Sequence, residues 1–292
     1  MWLTSEVKPG PTVRAETTDT IRMIRRLALL FALLVAVVAC GRGEIAATST
    51  TTIVTPITTA PTTTTQTPGL EPDVTIPDNR PVYQGLSTET LPDNMTLVAM
   101  MMSETDVFDS PDADQPSLTL PATTIIGTTT VLTILDGPDD GWARVMLPIR
   151  PNGSEGWIRT DSAQIYVVEG RVVINLSERV LTYYNNGEEV LSTPVAIGTS
   201  RNQTPTGDYF ITDNVTLADP NSPWGPHAFG LSARSDTITE YNGGDGIIGI
   251  HGTNKPGSIG NAISLGCIRL PNDVITRLHE MIPIGTPVTI AA

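Results

Sequence analysis

Ile250 to Asn272 reads I-H-G-T-N-K-P-G-S-I-G-N-A-I-S-L-G-C-I-R-L-P-N, and it holds one of the two cysteines of the 292-residue chain and one of its three histidines. A thiol becomes an effective nucleophile when a base lies within hydrogen-bond reach, and a Cys/His pair needs proximity in space rather than in sequence. The loop between His251 and Cys267 is rich in glycine and so can bring the two together. Cysteine-nucleophile acyl transfer is the chemistry these residues point to. Arg269, two positions after the thiol, adds positive charge that would lower the thiol pKa, and its planar fork suits a substrate carboxylate. The backbone amides of Gly266 and Cys267 are candidate donors to a tetrahedral oxyanion, because glycine permits the close backbone approach such a site needs.

Outward from this stretch the chain reads as mainly β. Arg171 to Leu176, Val180 to Tyr184 and Glu188 to Val195 are short strands, the last two joined by an N-N-G turn at Asn185 to Gly187, a hairpin signature. T-P-T-G at 204–207 marks a turn into another strand, and Ile247 to Ile250 leads directly into His251. One helix is predicted, capped by Asn272, with Val274, Ile275, Leu278, Met281 and Ile282 on one face before Pro283 and Gly285 stop it; a strand over Pro287 to Ile290 closes the chain. His279 on this helix reads as a solvated or edge residue. Further upstream, Leu97–Met102, 123–126, 130–135, Trp142–Leu147 and 156–158 are β-type runs separated by turns, which predicts a small barrel. Trp142 and Trp157 are either its core or the side of a ligand groove.

The first quarter of the chain lacks the composition of a folded domain. Met23 to Cys40 reads M-I-R-R-L-A-L-L-F-A-L-L-V-A-V-V-A-C, with a 13-residue apolar run that fits a signal-peptide core and is too short to span a bilayer. Met23 stands in the better starting position, which makes residues 1–22 an upstream extension and 23–39 the signal. Its ending, V-V-A-C before Gly41, resembles the lipobox of bacterial lipoproteins. That resemblance implies cleavage before Cys40, lipid on its sulfur, and an exported protein held at the outer face of the cytoplasmic membrane or in the cell wall. Two cysteines in an exported chain would otherwise suggest a disulfide; with Cys40 lipidated, Cys267 is a lone thiol. Twelve threonines among the 20 residues of Thr48–Thr67, interspersed with prolines, make residues 40–86 a semi-rigid tether, with a reach on the order of 130 Å at roughly 3 Å per residue. Beyond residue 39 the chain carries 12 basic and 28 acidic residues, a formal charge of −16, which argues against nucleic acid as a partner.

The pattern H-G-T-N…S-x-G-C-I-R-L-x-N, preceded by I-G-T-S…T-P-T-G, resembles the L,D-transpeptidase (YkuD-like) catalytic domain of the bacterial cell wall, over residues 166–292. W-A-R-V…G-W-I-R at 142–159 resembles bacterial SH3-like domains, which accompany cell-wall enzymes; this covers residues 87–165. Together they imply a small SH3-like β-barrel followed by a β-sandwich with one clear helix near the C-terminus. The first resemblance makes Cys267 the nucleophile, His251 the base and the Gly252 carbonyl the group that orients the imidazole. Ser264, Thr253, Asn272 and Arg269 are the candidate substrate contacts. The implied partners are peptidoglycan stem peptides, donor and acceptor, together with the membrane through a lipid anchor. The implied reaction releases D-alanine and crosslinks third residues through a Cys267 thioester, and carbapenems, which acylate family members, are expected inhibitors.

One position departs from the pattern. Many members carry histidine where this chain has Leu265, and His227, in W-G-P-H-A-F-G, replaces it only if its loop folds over the cleft. Packing or solvent exposure is the default for His227, and likewise for Trp224 and Tyr241 as alternatives to a lid role. No Cys/His cluster, G-x-x-x-x-G-K-[ST] loop or G-x-S-x-G elbow is present, so no metal and no cofactor are expected. An L,D-carboxypeptidase or an enzyme attaching protein to peptidoglycan would use the same thioester, and a non-catalytic wall-binding lipoprotein is the rival from another class.

Overall fold

Alternation of apolar and polar residues makes nearly every element a strand, and the order in which those strands pair puts the two ends of the quoted motif side by side. The computed structural model describes residues 85–292 except 242–243, with the backbone of a short strand β1 (Leu70–Pro72). The signal-like segment, Cys40 and almost all of the Thr/Pro stretch lie outside the described residues. An N-terminal β domain contains β2 (Thr96–Met101), β3 (Thr105–Val107), β4 (Leu118–Leu120), β5 (Val131–Asp139), β6 (Trp142–Met146), β7 (Glu155–Arg159) and β8 (Ala163–Val168). Its main sheet is antiparallel in the order β7-β6-β5-β2-β8, with β3 and β4 paired separately. No pairing of β7 with β8 closes a barrel among the described residues; a bridge between Phe108 and Trp157 covers the β7 edge instead. Trp142 is buried, with its ring edge-on to Phe108 and Arg159 stacked over it.

Two expectations need correcting here. The run 123–126 is a turn and not a strand: Thr123 bridges Thr129, the Thr124 amide donates to Thr128, Gly127 has φ +90°, and Ile125 is left 73 % exposed. A chain that doubles back within six residues has no length to pair. The boundary between the domains also lies later than residue 165, because β8 pairs with β2 along its whole length up to Val168.

The C-terminal domain comprises β9 (Gly170–Asn175), β10 (Val180–Asn185), β11 (Glu188–Pro194), β12 (Ile197–Gly198), β13 (Gly207–Leu217), β14 (His227–Arg234), β15 (Ile247–His251), β16 (Ala262–Ser264), β17 (Ile268–Arg269), α1 (Asn272–Met281) and β18 (Pro287–Ala291). One sheet runs β11-β10-β9-β18-β13-β14-β15-β17, with β1 beside β13 and a separate parallel pair β12–β16. The β10–β11 hairpin forms as its N-N-G turn predicts: Asn186 and Gly187 both take positive φ, 50° and 83°, the conformation whose twist matches that of the strands. A nine-stranded sheet with natural twist curls. Accordingly Val172, Ile174 and Leu181 at one end share a core with Phe229, Ile250 and Ile268 at the other, giving the sandwich-like, mainly β fold.

The faces of β14, β15 and β17 divide their work. Phe229, Leu231, Ile248, Ile250 and Ile268 point into the core with Ile275 and Leu278 of α1. The alternate positions, Ala228, Gly230, Gly249, His251 and Arg269, therefore lie on the opposite face. The N-terminal domain meets the C-terminal one through an apolar seam within a single compact unit. Phe210 of β13, fully buried, joins the N-terminal core with Leu132, Ile134 and Ile158, and Ile284 packs against Val98, Val131 and Tyr166. Truncating a fully buried phenylalanine typically costs about 3–5 kcal/mol. Phe210→Ala is therefore expected to lower the urea midpoint by a corresponding amount and to let both domains unfold in one transition. Separate loss of the N-terminal domain with the C-terminal midpoint unmoved would show that the seam carries no such load.

Candidate active site

His251 ends β15, and β17 runs parallel to it with Ile250 opposite Ile268 and His251 opposite Arg269. Continuing that register places Cys267 against Gly249, whose amide donates to the Cys267 sulfur at 3.4 Å. Gly249 and His251 are two residues apart on one strand, so thiol and imidazole project from the same face of neighbouring strands, with Arg269 on that face too. All three line one cleft, with a volume of about 100 Å³, whose other side is formed by Trp224, Ile238 and Tyr241.

The histidine is held in one tautomer. Its Nδ1 lies 2.6 Å from the Gly252 carbonyl, which can only accept, so the proton sits on Nδ1 and the Nε2 lone pair is available as base. The Trp224 ring lies against the imidazole with centroids 4.4 Å apart. Burial pushes His251 down to about 4; the Gly252 hydrogen bond opposes that shift and the Arg269 guanidinium adds to it. Burial likewise pushes the Cys267 thiol up, against the Gly249 amide and the charge of Arg269, which both favour the thiolate. At neutral pH the resting pair is thus an uncharged thiol beside an uncharged imidazole. Arg269 does favour the thiolate, as its position in the sequence suggests, but burial outweighs it. Its Nε is buried without a hydrogen-bond partner among the described residues, and the side chain lines the cleft.

The loop carrying Cys267 is braced from within. The Ser264 hydroxyl donates to the Cys267 carbonyl at 2.6 Å and accepts from the Gly266 amide at 3.1 Å. Gly266 has φ +122°, and a Cβ there would stand 3.0 Å from Ile248, so glycine is required. The Gly266 amide is therefore engaged by Ser264 rather than directed at an oxyanion, which leaves the Cys267 amide as the remaining donor of the expected pair. Ser264, 1 % exposed, thus braces the loop. The same holds for two other expected contacts. Asn272 is the first residue of α1 and not its cap, which is Pro271, and its side-chain oxygen accepts the Thr253 amide at 2.7 Å. Thr253, 4 % exposed, accepts the Lys255 amide through its hydroxyl. These bonds tie the H-G-T-N loop to the helix. Of the four candidate substrate contacts, only Arg269 has a buried side-chain polar atom without a hydrogen-bond partner among the described residues.

Thr204 of the T-P-T-G motif was legible only as part of a turn. Its hydroxyl donates to the Gly266 carbonyl at 2.8 Å and accepts the Gly198 amide at 2.9 Å, linking segments 62 residues apart. His227 does not replace the absent histidine. It pairs with Thr216 on β13, one residue out of phase with Ala228, so it lies on the helix side of the sheet, stacked on His279 at 3.9 Å. His279 is half-buried and bonded through Nδ1 to Asn214, which makes it, of the two expected alternatives, an edge residue and not a solvated one. Leu265, 51 % exposed, leaves an apolar rim beside the thiol. Trp224 and Tyr241 both line the cleft. Among the described residues no group of three or more His, Cys, Asp or Glu is placed to hold a metal ion.

The family model for the L,D-transpeptidase catalytic domain, YkuD, matches residues 169–290. The putative L,D-transpeptidase YkuD of Bacillus subtilis is 34 % identical over 125 residues, covering 43 % of this chain and 68 % of that protein. The putative L,D-transpeptidase YqjB of the same organism is 35 % identical, covering 41 % and 69 %. The probable L,D-transpeptidase ErfK/SrfK of Escherichia coli is 31 % identical, covering 41 % of this chain and 43 % of its own length. Among solved structures, the L,D-transpeptidase from Mycobacterium smegmatis aligns with a TM-score of 0.36 at 16 % identity, over 64 % of this chain and 99 % of that one. The matched range takes in the strands that carry His251 and Arg269 and the loop that carries Cys267, and on the likeness to the Bacillus proteins the chain belongs to the L,D-transpeptidase (YkuD) family.

Proposed function

We propose that this protein is a cell-wall L,D-transpeptidase that crosslinks third residues of peptidoglycan stems through a thioester on Cys267. The observation that carries the reading is the placement of Cys267 and His251 on one face of adjacent strands, with the imidazole fixed by Gly252. The donor amide, between the L-centre of a diamino acid and a terminal D-alanine, is attacked by the sulfur as the thiol proton passes to His251 Nε2. The Cys267 amide stabilises the tetrahedral oxyanion, and Arg269 receives a substrate carboxylate. Collapse breaks the C–N bond, the imidazolium protonates the departing amine of D-alanine, and a thioester remains. An acceptor amine then attacks that carbonyl, gives its proton to His251, and releases the thiolate to be reprotonated. The proposal extends to the rest of the chain: lipidation at Cys40 anchors the enzyme to the membrane, the Thr/Pro tether gives reach into the wall, and the N-terminal domain is SH3-like.

The test is mass spectrometry of the soluble region incubated with tetrapeptide muropeptides, with Cys267→Ala as control. Released D-alanine together with a dimer joined between third residues is the expected result. Release of D-alanine with only tripeptide monomer would make it a carboxypeptidase, and neither turnover nor thioester from folded protein would leave the wall-binding scaffold.

A further inference from the structure

The loop from Ser235 to Gly246 joins β14 to β15, the strand of His251, and supplies Ser235, Ile238, Tyr241 and Gly246 to the cleft of Cys267. Its described residues pair as the two legs of a small hairpin: the Ser235 amide donates to Gly246 at 2.8 Å, and Tyr241 and Gly244 exchange bonds at 2.9 Å. A further tie between the two legs comes from the other domain. Arg150, in the turn between β6 and β7, donates through Nη2 to the Asp245 carbonyl at 2.7 Å and to the Ile238 carbonyl at 3.3 Å, one on each leg. A Cβ on Gly246 would stand 1.9 Å from the Ile238 carbonyl oxygen and 3.1 Å from that same Nη2. The legs therefore approach closely enough for a single guanidinium to bridge them only because residue 246 is glycine.

A second set of bonds fixes the turn to the hairpin's base. The Asn152 side chain copies a strand partner for Arg234, donating to its carbonyl and accepting its amide, both at 2.8 Å. Arg234, 8 % exposed, returns its guanidinium to the Pro148 carbonyl and pairs with Asp245 at 2.6 Å. Asp236 and Glu240 add further negative charge to the hairpin. Two arginines thus hold a segment that has few apolar contacts of its own.

We infer that Arg150 of the N-terminal domain is a positioning residue for the transferase site, holding the Ser235–Gly246 hairpin so that Ile238 and Tyr241 form the side of the cleft against which the stem peptide is bound. The N-terminal domain is then a working part of the catalytic unit. This rests on the reading of the cleft as a stem-peptide site, and the two are separable by experiment. Arg150→Ala removes both bonds, which come from one nitrogen; Arg150→Lys keeps a charged nitrogen on a shorter side chain and so restores them only in part.

Hydrogen exchange of the hairpin amides requires no substrate. Ser235, Ile238, Tyr241 and Gly244, whose amides are bonded within the hairpin, are expected to exchange about 10-fold faster in Arg150→Ala, with β2 and β18 unchanged and Arg150→Lys intermediate. Iodoacetamide, which needs only an accessible thiol, should alkylate Cys267 within about two-fold of the wild-type rate. With tetrapeptide muropeptide, KM should rise about 10-fold and kcat change little. Unchanged hairpin exchange, or a fall in kcat at constant KM, would overturn the inference. If the wild type turns over no muropeptide, the functional reading fails while hairpin exchange still decides whether Arg150 is the clamp. If Arg150→Ala does not fold, Arg150→Lys and the same measurements decide.

Discussion

Cys267→Ala is expected to give a folded protein that neither releases D-alanine nor gains mass from a donor peptide or a carbapenem. The sulfur contributes little to stability: it is half-buried and accepts one weak bond, at 3.4 Å from the Gly249 amide. Its loop is held by Thr204 and Ser264, neither of which depends on the thiol. Loss of a nucleophile that forms the covalent intermediate typically removes on the order of 10⁴-fold or more of the rate. Cys267→Ser tests the same point without opening space, since a hydroxyl is a far weaker nucleophile beside a base of such low proton affinity. Intact-mass spectra after incubation with tetrapeptide would settle it. A wild-type-sized adduct on the alanine variant would place the acyl group elsewhere and end the case for Cys267.

The second large effect concerns proton traffic. Because burial holds the imidazole near 4 and raises the thiol, the pair does not rest as a thiolate–imidazolium ion pair. Alkylation of Cys267 by iodoacetamide is therefore expected to be slow at pH 6 and to climb steadily with pH, without the reactivity plateau in acid that an ion pair would show. His251→Asn should reduce acylation by roughly 10²- to 10⁴-fold, the range for loss of a general base.

The same shift affects folding. In the unfolded chain His251 titrates at its ordinary value of 6.5, and in the native state only near 4. Stability is complete above the unfolded value and is lost as pH falls through that window, by about 3 kcal/mol in total, since each unit corresponds to about 1.4 kcal/mol. Urea midpoints between pH 7 and 4 should show this slope in the wild type and a shallower one in His251→Asn. An imidazole resonance of His251 titrating near 6.5 in the folded protein would contradict both expectations.

The juxtaposition of Cys267 and His251 was legible in the sequence because it is concentrated in 23 residues, and the β10–β11 hairpin because a positive-φ turn carries its own signature at Asn186–Gly187. What escaped depends on distance or on weak alternation. Thr204 acts across 62 positions, which no local pattern announces. The central strand β14, H-A-F-G-L-S-A-R, has small and polar residues on the cleft face and offers little contrast from which to read a period of two. Ser264, Thr253 and Asn272 were expected as substrate contacts, and no local pattern announced their internal bonds. Their side chains satisfy backbone groups that the tight turns around the thiol would otherwise leave unpaired and buried. The run 123–126 is apolar enough to suggest a strand, yet its role is to double the chain back and present the Thr124 hydroxyl to Asp213 across the domain seam, at 2.6 Å.

Parallel pairing of β15 with β17 has a consequence for how turnover can be controlled. His251 and Cys267 are fastened to one another by the sheet itself, so no hinge lies between them and no domain motion can pull them apart short of unfolding. Such a centre is always assembled. On the proposed function, switching it on and off becomes a question of admission: the rate at which a stem peptide enters and leaves past Ile238 and Tyr241 would set the throughput, while an inhibitor small enough to pass would meet a finished reaction centre at every encounter.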